Sequence, residues 1–255
     1  MENFRRQWLR EGRDVRPLVY NVANFPRPVG DAPALLNLEE VRTLFHEFGH
    51  ALHGLLSRCR YRSLSGTATA LDFSELPSQI MENWATEPEV LAMYARHYRT
   101  GAPLPPELVA RIQETQAFNQ GFGTTECLAA AFLDLDWHTL TDPEPVDASA
   151  FEKASMARIG LLPEVPVRHR TPYFAHSMGG EYAAGYYGYL WSAVLDSDAF
   201  QAFKERGDLF DPATARSFRA NILEKGGSED PLELYRRFRG RAPSVEPLLK
   251  KRGLG

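Results

Sequence analysis

The stretch TLFHEFGHALHG, residues 43–54, constrains this chain most, because it places three histidines and a glutamate in an otherwise apolar run. If the stretch is helical, His46 and His50 lie on one face with β-carbons about 6 Å apart. Two imidazoles at that spacing can bind one metal ion, and the neighbouring Glu47 can accept a proton from a water on that metal. The alternative is a core helix whose polar side chains only make hydrogen bonds.

The flanking residues favour a helix over roughly residues 38–58. Asn37 is a typical N-cap and Glu40 occupies the third helical position, which is the pattern of a capping box. His53 lies seven residues after His46, about 10.5 Å further along the axis at 1.5 Å per residue, so it cannot complete the same site. We expect His53 to lie in an outer shell around the metal or at the surface.

A third protein ligand must come from another part of the chain. The segment LDFSELPSQIMENWATEPE, residues 71–89, offers the carboxylates of Asp72, Glu75 and Glu82. A proline is tolerated in the first turn of a helix, so we expect a helix beginning near Ser74. Glu75 and Glu82 then lie seven residues apart on one face, and spacing alone does not choose between them.

Helical periodicity predicts a mainly α protein with a minor β element. The best strand candidate is PLVYNVANF, residues 17–25, and YRSLSGTATA, residues 61–70, is a second. The predicted helices cover roughly residues 38–58, 74–100, 105–120, 123–140, 148–160, 179–204, 212–224 and 230–239.

The composition excludes several classes of function. Apolar residues make up 44% of the 255 positions, and the net charge is −4 with both signs scattered, so we expect a soluble protein that binds neither nucleic acid nor a membrane surface. The N-terminus lacks the apolar core of a signal peptide. Cys59 and Cys127 lie far apart and outside any CxxC spacing, which favours a reducing, cytoplasmic location.

The segment GGEYAAGYYGYLW, residues 179–191, carries Tyr182, Tyr186 and Tyr189 at positions i, i+4 and i+7. On a helix these residues form a stripe, which is commonly part of a core. Alternatively, fixed hydroxyl donors aimed at a developing oxyanion can stabilise it by about 3 to 4 kcal/mol. Both interpretations stay open at this point.

Four motifs occur in an order that resembles the thimet oligopeptidase family of zinc metallopeptidases. They are TLFHEFGHALHGL, SGT, DFSELPSQIMENWA and YFAHSMGGEYAAGYYGYLW. The chain most resembles the bacterial peptidyl-dipeptidase (dipeptidyl carboxypeptidase) branch, with oligopeptidase A as a relative. The likeness runs from PLVYNVANFP to RGRAPSVEPLLKKRGL, which is nearly the whole chain.

The resemblance implies a zincin-like (gluzincin) helical metallopeptidase catalytic domain with one Zn²⁺ per chain. It implies that His46, His50 and Glu75 bind the metal and that Glu47 activates the water. Glu82 then falls outside the ligand set.

The resemblance also implies roles in the second half of the chain. His176, Tyr186 and Tyr189 match positions that contact substrate and stabilise the tetrahedral intermediate in the family. The expected reaction is hydrolysis of short peptides, with release of C-terminal dipeptides. Two alternatives are internal cleavage as an oligopeptidase and a zinc-binding lobe that is inactive or needs a partner.

Family members are usually more than twice as long, with an N-terminal helical half that forms the opposite wall of a deep channel. By this resemblance, residues 1–255 are expected to be one catalytic domain that matches the C-terminal half. Apolar surface left exposed in such a domain would be covered by a separate N-terminal half or by self-association.

Overall fold

The computed structural model describes residues 1–142, 145–180 and 182–254. They form two units: unit 1 comprises residues 1–116 and 192–255, and unit 2 comprises residues 117–191. The mainly α class is confirmed, since the described residues contain long helices and only short strands. The expectation of one catalytic domain over residues 1–255 stays a prediction.

Unit 1 contains the strands and most of the helices. Its elements before residue 117 are β1 (Glu2–Arg5), β2 (Trp8–Arg10), β3 (Arg13–Val15), β4 (Leu18–Tyr20), α1 (Leu38–Leu56), α2 (Leu71–Ser74), α3 (Leu76–Ala85), α4 (Pro88–Tyr94) and α5 (Pro106–Thr115). The remaining elements of the chain's C-terminal part are α9 (Gly188–Arg206), α10 (Pro212–Phe218), a π-helical turn (Arg219–Leu223), α11 (Pro231–Arg239) and α12 (Glu246–Lys251). The boundary between the two units falls within α9.

The strands form two antiparallel pairs, β1 with β4 and β2 with β3. Of the predicted strand over residues 17–25, only β4 (Leu18–Tyr20) forms, and it is three residues long. The predicted strand over residues 61–70 is wrong. That segment contains a 3₁₀ turn (Arg62–Leu64) followed by a buried turn at Ser65, whose hydroxyl donates to the Ser57 hydroxyl at 3.0 Å.

The start of α1 confirms the predicted capping box. The Asn37 side chain accepts from the Glu40 amide at 2.9 Å, and the Glu40 carboxylate accepts from the Asn37 amide at 2.7 Å. Two of the four free amide groups at the helix start are thereby satisfied. The register of α1 is therefore set by local interactions as well as by packing.

The predicted helix over residues 74–100 is divided in the structure. Proline 88 has no amide hydrogen and cannot continue the helical ladder from α3, so the chain breaks and restarts with Pro88 at the beginning of α4. The short final helix α12 was not predicted. The other predicted helices in unit 1 agree with the structure within a few residues at most ends.

A buried polar network joins α9 to the C-terminal segment and to α3. Asp198 is fully buried and accepts from the Tyr235 hydroxyl at 2.7 Å, and it also contacts Arg241. Burial, with the negative charge of Asp198 adding to it, raises the pKa of the Tyr235 hydroxyl. Asp196 accepts from the Asn83 side chain at 2.8 Å, so α3 is tied to α9. Buried charges of this kind are stable only when each has a partner.

The described residues of unit 2 contain three helices, a 3₁₀ turn (Thr171–Tyr173) and the first residues of α9. The helices are α6 (Gln120–His138), α7 (Ala148–Arg158) and α8 (Ala175–Met178). One apolar cluster consists of Ala129, Leu133 and Met156, and a second consists of Ala130, Ala131, Phe174 and Tyr186. Successive residues of α6 therefore contribute to different clusters.

The predicted helix over residues 179–204 begins later than expected. Its described residues before 188 form turns, and Ala184 has a φ of 56°. Such a positive φ is incompatible with a right-handed helix. Tyr182 and Tyr186 therefore do not lie on the helix that carries Tyr189, and the predicted helical stripe is wrong.

No helix in the described parts of the chain is both long and apolar enough to cross a membrane.

Candidate active site

Three side chains of unit 1 converge in a geometry that suits a metal ion. The Nε2 atoms of His46 and His50 lie 3.4 and 3.2 Å from the same carboxylate oxygen of Glu75. His46 and His50 lie on one face of α1, and Glu75 immediately precedes α3. Glu75 is 3% exposed, so its charge is held away from water beside two imidazoles. The donor atoms of the three residues all lie within 4.8 Å of one another.

These separations fit tetrahedral zinc. Two metal bonds of about 2.0 to 2.1 Å that meet at the tetrahedral angle place their ligand atoms about 3.3 Å apart. The two measured distances to Glu75, 3.2 and 3.4 Å, lie on either side of that value. Both histidines therefore lie at a distance from Glu75 that suits zinc ligands, and the three donors fit a site for a metal ion.

A glycine allows α3 to approach α1 closely enough for this convergence. A β-carbon added to Gly49 would lie 2.1 Å from the Pro77 carbonyl oxygen and 2.6 Å from the Ser78 α-carbon. Both atoms belong to the backbone, which cannot rotate away. The Ser78 hydroxyl in turn donates to the Glu75 carboxylate at 2.8 Å and orients it. The absence of a side chain at Gly49 thus permits the short distance between the two histidines and Glu75.

Glu82, whose role spacing left open, binds the far side of His46. Its carboxylate lies 2.7 Å from His46 Nδ1, and it accepts from the Arg42 guanidinium at 3.3 Å. Burial opposes protonation of His46, but the hydrogen bond and charge of Glu82, with the charges of Glu75 and Glu47, outweigh it and raise the pKa of His46. A carboxylate at Nδ1 holds the ring orientation and leaves Nε2 facing the metal position.

Replacing Glu82 by glutamine is expected to weaken zinc binding by about 10 to 100-fold, because the neutral amide is a weaker partner for the His46 ring. Competition with a chromophoric chelator would measure the Kd. Glu39→Gln is the matched control, since Glu39 also contacts Arg42, at 3.4 Å, but has a largely exposed side chain. Equal zinc affinity in the Glu82 and Glu39 variants would contradict this role.

Glu47 follows His46 on α1 and lines an open pocket. The pocket has a volume of about 270 Å³ and is lined by Glu39, Arg42, Thr43, His46, Glu47 and Glu82. The Glu47 carboxylate is partly exposed and contacts the amino group of Met1. A carboxylate that reaches solvent beside the metal ligands can exchange protons with water in the pocket.

His53 follows His50 by three residues on α1 and is fully buried. Neither of its ring nitrogens has a hydrogen-bond partner in the described part of the chain. Burial lowers the pKa of His53 to about 3, and the nearby His50 adds to this effect. The side chain is therefore neutral at physiological pH. Of the two expected positions, the one at the surface is wrong, and the one in an outer shell around the metal stays a prediction.

Replacing His53 by leucine is expected to reduce acid denaturation. Between pH 6.5 and about 3 the unfolded chain binds a proton at this position that the folded chain does not bind, so stability falls as the pH falls. At pH 5 this contribution amounts to about 2 kcal/mol. Urea unfolding in EDTA at pH 7.5 and pH 5 would measure it without metal release. Exposed His97→Leu is the control, and an unchanged pH dependence in His53→Leu would contradict the prediction.

The predicted substrate-contacting residues of unit 2 form a cluster of rings. His176 Nε2 lies 2.7 Å from the Tyr189 hydroxyl, and the Tyr182 and Tyr189 rings stack with centroids 5.6 Å apart. The Tyr186 ring lies edge-on to Tyr189 at 5.3 Å. Unit 2 therefore brings His176, Tyr186 and Tyr189 together. The chain reverses in a turn before α9, so these residues do not form a stripe on one helix.

Tyr186 is the most buried member of this cluster. Its hydroxyl lies 3.4 Å from His169 Nε2, and its ring packs edge-on against Phe174. Burial is the main cause that raises the pKa of Tyr186, and it outweighs the opposing charge of Arg168. The hydroxyl thus keeps its proton and stays a hydrogen-bond donor in the neutral pH range.

Comparison with known proteins decides the family. A family model for peptidase family M3 matches residues 1–254. This chain belongs to peptidase family M3. The resemblance drawn from its motifs is confirmed.

The M3 chain is similar to several curated peptidases. It is 50% identical to dipeptidyl carboxypeptidase of Escherichia coli (strain K12) over 242 residues, which are 94% of this chain and 35% of that protein. It is 41% identical to oligopeptidase A of the same organism over 246 residues, 96% of this chain and 36% of that protein. It is 35% identical to mitochondrial intermediate peptidase of Malassezia globosa over 232 residues, 90% of this chain and 28% of that protein. The M3 chain thus spans about a third of the length of these relatives.

Two residues that the sequence patterns did not single out are Gly49 of unit 1 and Asp134 of unit 2. Gly49 carried a signal, since a glycine inside a helix costs stability unless close packing requires it. Asp134, a fully buried acid on α6, carried a weaker signal as a charged residue in the apolar run AAAFLDLDW.

Proposed function

We propose that this chain is the metal-binding catalytic part of a zinc peptidase that hydrolyses short peptides. The observation that carries the proposal is the convergence of His46, His50 and Glu75 within 4.8 Å, with Glu47 next to His46 on the same helix. Two histidines and a carboxylate are a donor set that zinc prefers, and they leave one position open for water or substrate. The family membership supports the same reaction class.

When bound, zinc supplies a Lewis acid that polarises the scissile carbonyl and lowers the pKa of the attacking water. Glu47 acts as the general base: its carboxylate takes a proton from that water and then returns it to the amine leaving group. Glu82 keeps the His46 ring oriented through Nδ1 during the reaction, and Ser78 does the same for the Glu75 carboxylate.

The family resemblance assigns oxyanion stabilisation to His176, Tyr186 and Tyr189, and we retain this assignment within the proposal. His176 Nε2 and the Tyr189 hydroxyl lie 2.7 Å apart, so they share a hydrogen bond whose direction the His176 tautomer sets. In the proposal His176 is protonated at Nε2 and donates to the Tyr189 hydroxyl oxygen, which directs the hydroxyl hydrogen towards a substrate oxygen. Each fixed donor of this kind contributes about 3 to 4 kcal/mol to stabilisation of the transition state.

Zinc content and peptide cleavage together test the proposal. The purified chain is expected to hold about one zinc, to cleave short fluorogenic peptides, and to lose cleavage after chelation with recovery upon zinc addition. A chain that retains zinc and cleaves no short peptide would refute the catalytic part of the proposal. A chain that retains no zinc at all would refute the whole of it.

We propose release of C-terminal dipeptides as the specific reaction, supported by the higher identity to dipeptidyl carboxypeptidase than to oligopeptidase A. Such an enzyme must bind the free carboxylate of its substrate. A peptide and its C-terminally amidated form, compared at equal concentration, would test this. Dipeptide release that amidation abolishes supports the proposal, and equal cleavage of the two peptides would favour internal cleavage.

A second candidate is a lobe that works only with a partner. Leu44, Phe48 and Leu55 on α1 are 43%, 48% and 40% exposed and lie near one another on the helix. An apolar stripe on the helix that carries the metal ligands suits cover by another polypeptide, and we propose a separate N-terminal half in that role. Light scattering would reveal whether a second copy of the chain covers the stripe in place of a separate half. Full activity of a monomer would contradict cover by either one.

A further inference from the structure

A buried carboxylate holds the turn that carries the clustered tyrosines of unit 2. We propose that Asp134 is a positioning residue, which fixes the tyrosine turn, defined as residues 182–187, so that Tyr186 and Tyr189 adopt the arrangement needed for substrate. This inference rests on the proposed role of those two tyrosines. No sequence motif pointed to Asp134.

The contacts of Asp134 are divided between the backbone of the turn and its own helix. One carboxylate oxygen accepts from the Tyr186 amide at 2.9 Å, and the other accepts from the Ala184 amide at 3.1 Å. His138 Nδ1 lies 2.9 Å from the second oxygen, one turn further along α6. The side chain of Asp134 is fully buried. His138 Nδ1 also lies 2.8 Å from the Asp134 backbone carbonyl, so the donors assigned to the carboxylate are the two amides of the turn.

The turn needs such a partner because its backbone is strained. Ala184 has a φ of 56°, a left-handed conformation that costs a residue with a β-carbon about 1 to 2 kcal/mol. Backbone amides on either side of a left-handed residue form a concave group of donors that suits an anion. Asp134 supplies that anion from within the protein, so the strained conformation is retained only while the carboxylate is present.

The helix surface around Asp134 fits the turn as well. Ala130 and Ala131 lie four and three residues before Asp134, on the same face of α6, and both pack with Tyr186. Their small side chains allow the Tyr186 ring to lie against the helix, while the carboxylate binds the Tyr186 amide. Backbone and ring of Tyr186 are therefore held by one helix face.

Tyr186 passes this constraint to Tyr189. The Tyr189 amide donates to the Tyr186 carbonyl at 3.3 Å, and the two rings are in edge contact. A shift of the turn would therefore move both hydroxyls. Displacement of a catalytic group by about 1 Å can lower a rate by about 100-fold.

Replacing Asp134 by asparagine tests the proposal with little change in volume. The amide nitrogen would face a backbone amide hydrogen, so one of the two hydrogen bonds to the turn becomes a repulsive contact. We expect kcat for a short peptide to fall by about 10 to 100-fold. Zinc affinity should be unchanged, because the metal ligands belong to unit 1. Hydrogen exchange should become faster at residues 182–190.

Asp136→Asn is the matched control, since Asp136 lies on the same helix and binds Ser155 at 2.5 Å, away from the tyrosine turn. It should leave kcat and the exchange of residues 182–190 unchanged. An Asp134→Asn protein whose kcat stays within about twofold of the parent would overturn the proposal, even if exchange is faster.

Ala184→Val provides a second test that keeps the buried carboxylate, in case the Asp134 variant does not fold. A β-branched residue is strongly disfavoured at positive φ, so the turn should shift. We expect a similar loss of kcat, and unchanged kcat would overturn the proposal. If the parent chain cleaves no peptide, the proposed function itself fails, whereas the exchange measurement still reports whether Asp134 holds the turn.

Discussion

Replacing Glu47 by glutamine is expected to lower kcat for short-peptide hydrolysis by about 10² to 10⁴-fold, the range that a positioned general base contributes. Glutamine keeps the size of the side chain but cannot accept a proton from the attacking water. Zinc affinity should change little, because Glu47 is not among the three converging donors. Stopped-time cleavage assays of zinc-loaded protein, with the zinc content measured on the same sample, would separate the two effects.

Glu39→Gln is the control for the Glu47 variant, since Glu39 lines the same pocket on the same helix. It should retain most of the parent activity. A Glu47→Gln protein that retains at least a third of the parent kcat with full zinc content would show that another group accepts the proton.

Replacing Gly49 by alanine is expected to disrupt the convergence of His46, His50 and Glu75. The new β-carbon would lie 2.1 Å from a backbone oxygen of α3, so α1 and α3 must separate. Overpacking against backbone destabilises the fold by about 3 kcal/mol. The same separation moves Glu75 away from the histidines, and the Kd for zinc should rise by about 100-fold. Urea unfolding and chelator competition would measure the two quantities.

Gly121→Ala is the matched control for Gly49→Ala. Gly121 also lies within a helix, but an added β-carbon would have no neighbour within 4 Å in the described structure. Alanine should stabilise that helix by up to about 1 kcal/mol. If Gly49→Ala behaves like Gly121→Ala in both measurements, the close approach of the two helices does not set the site.

Much of the arrangement on α1 was predictable from local sequence. The capping box at Asn37 and Glu40 depends on residues three apart, and the structure confirms it. The shared face of His46 and His50 likewise follows from helical spacing. Glu75 and Glu82 were both nominated by their position in one segment. Spacing could not decide which of the two faces the metal position. Glu75 lies near the Nε2 atoms of both histidines, whereas Glu82 lies near Nδ1 of His46.

The tyrosine segment shows where local periodicity fails. The i, i+4, i+7 pattern predicted a helical stripe, but the backbone turns at Ala184 and the helix starts at Gly188. The rings of Tyr182 and Tyr189 still stack, so the clustering was anticipated for the wrong structural reason. The partner that stabilises the turn, Asp134, lies 50 residues away in the chain.

Interactions within one helix, such as its cap and the spacing of its histidines, depend on neighbouring residues. They can therefore be predicted from the sequence alone. Three other features depend on which elements come together after folding. They are the contact of Gly49 with the α3 backbone, the placement of Glu75 and Glu82 on opposite nitrogens of His46, and the hold of Asp134 on the tyrosine turn. Each requires atoms distant in sequence to approach within a few ångströms, and packing alone decides that distance.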